Sequence, residues 1–346
     1  MRLSEIGELS LLEQIRQRFK KKSKNVVVGI GDDAAVLKPV EKDLLVTTDM
    51  MVEGVHFDLT FITPYQLGFK LISVNVSDIY AMGGIPAYLL LDIAVNKDIN
   101  MTFIDRLFDG VKDAINLYNI ILIGGDLSST NIGMTLSAIL IGYAKRHIKR
   151  SGAYIGDRIY VTGDLGDSAC GLELLKKIKR PVHLESKEQR AKSKDPTLYA
   201  LRSTLLKMGL SWEVVEPLLR RHLIPVARDP KKFIRHTTAM IDISDGLLID
   251  LSRLCDESKV GARIYIKDIP VSSKLKKAAS YLSISPIKLA LSGGEDYELL
   301  FTVPPNKKVE AICIGEIIES ERVIIDKSGK ETAFAPEGYQ HFGIQG

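Results

Sequence analysis

The sequence predicts an α/β protein of the α+β type, built as two domains that meet near residue 150. Three observations carry this. The chain has 346 residues, more than one hydrophobic core ordinarily organises. Short, β-branched apolar runs alternate with stretches of helical periodicity along most of its length. A basic and then turn-rich segment, AKRHIKRSGAYIGD (144–157), interrupts that alternation once, and the pattern resumes beyond it.

In the first domain, 1–150, strands are expected at VVVGI (26–30), LLVTTDM (44–50), YLLLDIAV (88–95), IILIGG (120–125) and MTLSAILIGYA (134–144). Their nearly continuous apolar character suits strands covered on at least one face. Thr63-Pro64 pairs an N-cap with proline at the first helical position and opens a helix reaching Met82, which Gly83-Gly84 stops. A second helix starts near Thr102, with Phe103, Leu107, Val111, Ile115 and Tyr118 on one stripe.

The second domain, 151–346, begins with strand RIYVTG (158–163) and helix SACGLELLKKI (168–178). Residues 176–236 are strongly basic, lack strand signals and read as a solvated helical insertion. Strand TTAMIDIS, helix GLLIDLSRLCDE, strand RIYI, a further helical stretch, and strands ELLFTV, AICIGEII and VIID follow.

Composition excludes several classes. With 45% hydrophobic and 26% charged residues the chain is an ordinary globular protein. A net charge of +4 is too small to indicate nucleic acid or a membrane surface as partner. No apolar run is long enough to span a bilayer, and MRLSEIGELSLLEQI lacks a secretory apolar core. Cys170, Cys255 and Cys313 are scattered, without C-x-x-C, as in a reducing compartment. A cytoplasmic protein is expected.

The chemistry lies in acids at the exits of apolar elements. Asp32 and Asp33 follow Gly31, Thr47-Thr48-Asp49 closes the second predicted strand, and Asp78 ends a helix. Gly124-Gly125-Asp126 ends another strand, as does Asp242-Ile243-Ser244-Asp245-Gly246. Taken singly, each is an ordinary turn or cap, and Asp245 would N-cap the helix after it. Asp78 is harder to explain: a carboxylate near a helix C-terminus opposes the macrodipole, and SVNVSDIYAM contains no compensating charge. A bound cation would compensate it. Carboxylates with Thr hydroxyls, without a His or Cys pattern, are hard oxygen ligands that favour Mg²⁺ over zinc. Mg²⁺ uses few carboxylates per ion and is completed by substrate phosphates, so this many acids points to several ions and a nucleotide substrate. The sequence has no P-loop and no protein-kinase H-R-D or D-F-G. A dinucleotide loop at GIGDDA would set pyrophosphate against two carboxylates.

GIGDDAAVL, TTDMMVEGVHF, VSDIYAMGGIP, IGGDLSST, RSGAYIGDRIYVTGDLGDSACGLELL, IDISDGL and SGGEDYELLFT occur in this order. In them the chain resembles the thiamine-monophosphate kinases of the AIR synthetase-like superfamily, over nearly its whole length. The resemblance implies a two-domain AIR synthetase-like fold whose N-terminal sheet dimerises across subunits, with ATP near that interface. It implies transfer of the ATP γ-phosphoryl group to thiamine monophosphate, with several Mg²⁺ ions, in thiamine diphosphate biosynthesis. By motif match the metal ligands would be Asp32, Thr47, Thr48, Asp49, Asp78, Asp126, Asp242 and Asp245. Gly125, Asp126, Arg150 and Ser244 would contact the nucleotide, and His56, Glu295 and Tyr339 the thiamine moiety. Thr47 stands where many members carry serine. Asp33 is left without a role, and Asp164 and Asp167 read as turn and cap residues outside the site.

The accepting group in that reaction is a phosphate oxygen, already mostly ionised at neutral pH because its second pKa lies near ~6. No general base and no covalent nucleophile is therefore expected, only positioning and charge neutralisation. Rival readings are other superfamily members (AIR synthetase, selenophosphate synthetase, the hydrogenase-maturation dehydratase) or a non-catalytic nucleotide- or metal-binding protein. Nothing before Gly29 offers the Cys of a selenophosphate synthetase.

Overall fold

A computed structural model describes residues 2, 5, 8–19, 23–30, 34–178 and 210–341. The chain divides into two units, Met1–Tyr80 with Gly84–His147, and Ala81–Gly83 with Ile148–Gly346.

The first unit contains α1 (Glu8–Arg18), β1 (Val26–Val28), β2 (Val36–Leu37), β3 (Asp43–Val52), α2 (Pro64–Ala81), β4 (Ile85–Val95), α3 (Met101–Leu117), β5 (Ile121–Gly124), β6 (Leu127–Ser129) and β7 (Thr135–Ala144). β1 and β2 form a small antiparallel ribbon. The main sheet runs in the order β3-β7-β4-β5, and β6 extends the pairing of β4. β7 is antiparallel to both neighbours, whereas β4 and β5 are parallel, so the sheet is mixed.

α2 starts with a capping box. The Thr63 hydroxyl accepts the Gln66 N–H at 3.2 Å while Gln66 Oε1 accepts the Thr63 N–H at 2.9 Å. Leu67, Leu71, Ile72, Val76 and Ile79 then recur at helical spacing and are buried. In α3, Asn100 accepts the Thr102 N–H, and the buried stripe is wider than the sequence suggests, taking in Ile104, Phe108 and Ala114.

The second unit contains β8 (Arg158–Val161), α4 (Asp167–Ile178), α5 (Trp212–Leu223), β9 (Met240–Asp242), α6 (Leu247–Ser258), β10 (Gly261–Tyr265), α7 (Ser273–Leu282), α8 (Pro286–Ser292), β11 (Leu299–Val303), β12 (Ile312–Ile318), β13 (Arg322–Ile325) and β14 (Glu331–Ala333). Its seven strands run β14-β13-β10-β12-β8-β11-β9, antiparallel except at β10/β13. Ile159, Val161, Ile241, Leu251, Leu254, Leu300 and Ile314 belong to its core.

The expected solvated insertion is corrected for its described part. α5 carries Val215, Leu218, Leu219 and Leu223 on one face, all fully buried. It lies against α4, where a Cβ at Gly171 would come within 2.2 Å of the Leu218 carbonyl oxygen. The Arg and Lys residues mask this apolar stripe in a composition reading. Residues 179–209 of the predicted insertion lie outside the described residues. Among the described residues, no helix is long and apolar enough to cross a membrane.

Candidate active site

In the first unit, Thr47 and Asp49 lie within β3 and not at its end, because the ladder with β7 continues unbroken to Val52↔Thr135. Strand alternation puts them on the face of buried Leu45 and Met51. Thr48 falls on the opposite face with Leu44, Val46 and Met50, so its hydroxyl does not join theirs. Thr47 Oγ1 donates to Asp78 Oδ2 at 2.6 Å. The Asp49 N–H donates to Asn75 Oδ1 at 3.1 Å, while Asn75 Nδ2 donates to the Leu71 carbonyl at 2.9 Å. Asn75 and Asp78 are three apart on α2 and so share a face toward β3. The last turn of α2 contains no basic residue. Burial, with the negative Asp78 beside it, pushes the Asp49 carboxyl up to about 7.

Asp126 occupies the turn between β5 and β6. Its N–H lies 2.9 Å from Asp92 Oδ1 and 3.2 Å from the Leu91 carbonyl, and its own carbonyl accepts the Ile93 N–H at 2.9 Å. Gly125 has φ 150°, and a Cβ there would meet the Leu91 oxygen at 1.9 Å, so only glycine lets the turn sit this close to β4. Asp92, which sequence reading passed over, is the one acid inside an otherwise apolar strand; that break in the pattern was its signal.

His56 accepts the Val52 N–H on Nδ1 at 3.0 Å and donates its own N–H to the Val52 carbonyl at 2.9 Å. Its ring therefore fastens the turn after β3. Asp32 and Asp33 lie outside the described residues. Among the described residues no cluster of three or more His, Cys, Asp or Glu forms a ready-made metal cage. The charge of Asp78 reaches Asp49, and the Thr47 hydroxyl adds an oxygen beside Asp78.

In the second unit, Asp242 ends β9 and is buried. The turn after it is organised by Asp250, which sequence reading missed. Asp250 Oδ2 accepts the N–H groups of Ser244, Asp245 and Gly246 at 3.1, 3.1 and 3.2 Å. The capping role expected of Asp245 thus belongs to a residue in the first turn of α6. Arg253 Nη1 donates to Asp245 Oδ2 at 2.6 Å and to Asp250 Oδ1 at 2.7 Å. Burial pushes Asp250 up to about 6 against the pull of these partners.

Two separate segments, SGGEDYELLFT and the stretch around Tyr339, converge on residues 243–245. The Glu295 N–H donates to the Ser244 carbonyl at 2.7 Å, the Tyr297 N–H to Ile243 at 2.9 Å and the Tyr339 N–H to Asp245 at 3.0 Å. Glu295 and Tyr297 both have left-handed backbones, φ 64° and 49°. The structure therefore gathers Ser244, Asp245, Glu295 and Tyr339. Arg150 is exposed, and its carbonyl accepts the Ser258 hydroxyl at 3.0 Å. Beside Glu295 lie two acids that sequence reading left unused. Asp296 accepts the N–H groups of Gly166 and Ser168 at 2.6 and 3.3 Å, and burial pushes it up to about 7 despite nearby Arg221. Glu298, fully buried, is bound by Arg221, Arg228 and Thr162. Burial alone would raise it, but the two guanidiniums hold it below the usual carboxylate range.

Residues 31–144 match the family described as AIR synthase related protein, N-terminal domain, and residues 155–323 match its C-terminal domain. The thiamine-monophosphate kinase of Aquifex aeolicus is 38% identical over 99% of this chain and 100% of its own length. Among solved structures, AaThiL complexed with AMPPCP and TMP superposes with a TM-score of 0.73 at 35% identity, covering 99% of each chain. The thiamine-monophosphate kinase of Stenotrophomonas maltophilia K279a gives a TM-score of 0.74 at 27% identity, over 93% of this chain and 96% of its own. The chain belongs to the AIR synthase related family and, within it, to the thiamine-monophosphate kinases.

Proposed function

We propose that this chain transfers the γ-phosphoryl group of ATP to thiamine monophosphate, producing thiamine diphosphate. The observation that carries the reading is end-to-end similarity to thiamine-monophosphate kinases, including a structure complexed with AMPPCP and TMP. The transfer is direct. The accepting phosphate is ionised without help from a base, so the protein's task is to hold two polyanions in line and offset their repulsion.

Mg²⁺ fits the first unit's acids: burial and the neighbouring Asp78 charge push Asp49 toward its protonated form, and a cation would relieve what a proton otherwise would. When bound, Mg²⁺ supplies charge neutralisation to the phosphates. Asp32, Thr47, Asp49, Asp78, Asp126, Asp242 and Asp245 are the residues proposed to hold such ions. Thr47 keeps the Asp78 carboxylate oriented through its hydroxyl, and Asp92 and Gly125 set the height of the Asp126 turn. Gly125, Asp126, Arg150 and Ser244 are assigned to the nucleotide. Glu295, with Tyr339, is assigned to the cationic thiazolium, and His56 to the same substrate.

The enzyme works as a cytoplasmic homodimer with its domain boundary near residue 150. Support for dimerisation comes from the face of β3 opposite Asp49, where Leu44, Val46 and Met50 are 59%, 61% and 56% exposed on one edge strand. A second copy of the same sheet would cover that face. Sedimentation of Val46→Glu against the parent chain tests this, and a parent chain that sediments as a monomer overturns it.

The deciding experiment for the activity offers ATP with thiamine monophosphate, using thiamine as control. Thiamine diphosphate should form only from the monophosphate. Product from thiamine alone, or none from either, overturns the reading, and kinetically competent phosphate bound covalently to the protein overturns direct transfer.

A further inference from the structure

Asp245 and Asp250 stand at the start of α6 and share one arginine, but they are neutralised differently. Leu247, Leu251 and Leu254 anchor α6 in the core, and Asp250 and Arg253, three residues apart, lie together beside that stripe. Asp250 is fully buried. Its Oδ2 accepts three backbone N–H groups and its Oδ1 accepts Arg253 Nη1 at 2.7 Å. Both of its oxygens are therefore committed to the fold.

Asp245 is fixed at its backbone, where its N–H meets Asp250 and its carbonyl meets the Tyr339 N–H. Its carboxylate is held more lightly. Among the described residues it receives one donor, Arg253 Nη1, 2.6 Å from Oδ2. Both side chains reach solvent, Asp245 being 27% and Arg253 37% exposed. A half-exposed ion pair contributes little to stability, so little is lost if the guanidinium turns away. Arg253 keeps a partner when it does, because Asp250 Oδ1 binds the same nitrogen.

This donor set fits an ion that keeps water and takes phosphate oxygens, since such an ion needs one carboxylate oxygen from the protein and Oδ1 supplies it. The guanidinium beside it opposes binding: two positive groups then contend for one carboxylate.

We propose that Arg253 is the counter-charge that Asp245 exchanges for its ion. The guanidinium neutralises the carboxylate until a divalent cation takes over that role, and Arg253 thereby sets the Mg²⁺ concentration at which this position fills. The proposal rests on the reading of Asp245 as an ion-holding residue.

The test needs no turnover: urea unfolding of the whole enzyme is followed as MgCl₂ is raised. Without Mg²⁺, R253Q should be less stable than the parent chain, because Asp245 and Asp250 lose their cation. The gap should close as Mg²⁺ rises, since the ion binds the variant more readily. A unit charge a few ångströms from a divalent ion at a half-exposed position corresponds to about a tenfold change in affinity, so the half-stabilising Mg²⁺ concentration should fall about tenfold. KCl at matched ionic strength should not close the gap, and in a D245N background R253Q should shift the Mg²⁺ response less than twofold. A gap that is constant at every Mg²⁺ concentration makes Arg253 purely structural and overturns the inference. A gap that KCl closes equally, or an undiminished shift in D245N, also overturns it. If R253Q does not fold at any Mg²⁺ concentration, R253M is read in the same way, because it keeps an apolar stem without the charge. Failure of both to fold overturns the inference, because the ion then does not replace the guanidinium. An unchanged Mg²⁺ response in D245N alone removes the reading of Asp245 and the inference with it. A weakened response in D245N with a parental one in R253Q removes only the role of Arg253.

Discussion

The two units hold their acids in opposite ways. In the first, burial and Asp78 both push Asp49 toward its protonated form. In the second, the acids come with arginines: Asp245 and Asp250 with Arg253, and Glu298 with Arg221 and Arg228. Where the chain supplies its own cations, the carboxylates already have partners within the fold, and an ion at Asp245 would have to share that carboxylate with Arg253. Where it concentrates negative charge, as at Asp49 beside Asp78, a bound cation would add stability to the fold. Acidity alone therefore identifies no site, and the counter-charge does.

The sharpest way to break this comparison is to remove an acid from the arginine-rich side. Glu298→Gln keeps the shape but leaves Arg221 and Arg228 facing a neutral group in a buried pocket. A loss of about 3–5 kcal/mol in unfolding free energy is expected, read from urea titration. A loss below about 1 kcal/mol, no more than an exposed ion pair contributes, would mean that the pair is not a structural element. The converse change is Asp78→Asn. The Thr47 hydroxyl can still donate to the amide oxygen, so the fold should persist, and relief of repulsion should make the metal-free protein slightly more stable. Activity should fall by about 100-fold or more, because an ion-binding carboxylate has gone. Near-parental turnover would dismantle the assignment of the first unit's acids.

Asp296 gives a subtler contrast, because it can neutralise itself by taking a proton. Burial raises its folded-state pKa to about 7 from the ordinary aspartate value of 3.8. The folded state binds the proton more tightly, so its contribution is fully present below about 4, falls as pH rises, and is lost through about 7. The stability difference between the parent chain and Asp296→Asn should therefore slope downward across that window and be flat above it. A pH-independent difference would mean that Asp296 is ionised throughout and held by the N–H groups of Gly166 and Ser168.

The elements were legible because local signals agree with the fold. Thr63-Pro64 caps α2, β-branched runs form β3, β4 and β7, and glycines end elements where the chain turns. Partner geometry was not legible. Asp250, Arg253 and Asp92 assist Asp245 and Asp126 across distances that spacing does not reveal. The position of Thr47 to Asp49 within β3 depended on a register set by β7, which no local residue announces. α5 was misjudged for a related reason: its arginines dominate composition, yet two neighbouring side chains, Arg221 and His222, turn inward to hold acids some seventy residues downstream.

The smallest expected effect sharpens the comparison at its margin. Tyr339 is 47% exposed, and its main-chain N–H, not its ring, anchors it to the Asp245 carbonyl at 3.0 Å. Its side chain makes an edge contact with His341, ring centroids 5.0 Å apart. Replacing the ring therefore leaves the backbone anchor in place and isolates what the aromatic face contributes. An exposed cation–π contact is worth about 0.5–1 kcal/mol, so Tyr339→Ala should raise KM for thiamine monophosphate roughly two- to fivefold. Tyr339→Phe, which keeps the π-face and loses only the hydroxyl, should stay near the parental value. Parity between the two variants would assign the effect to the hydroxyl and its His341 neighbour, and the cation would then be recognised by the Glu295 charge without help from an aromatic ring.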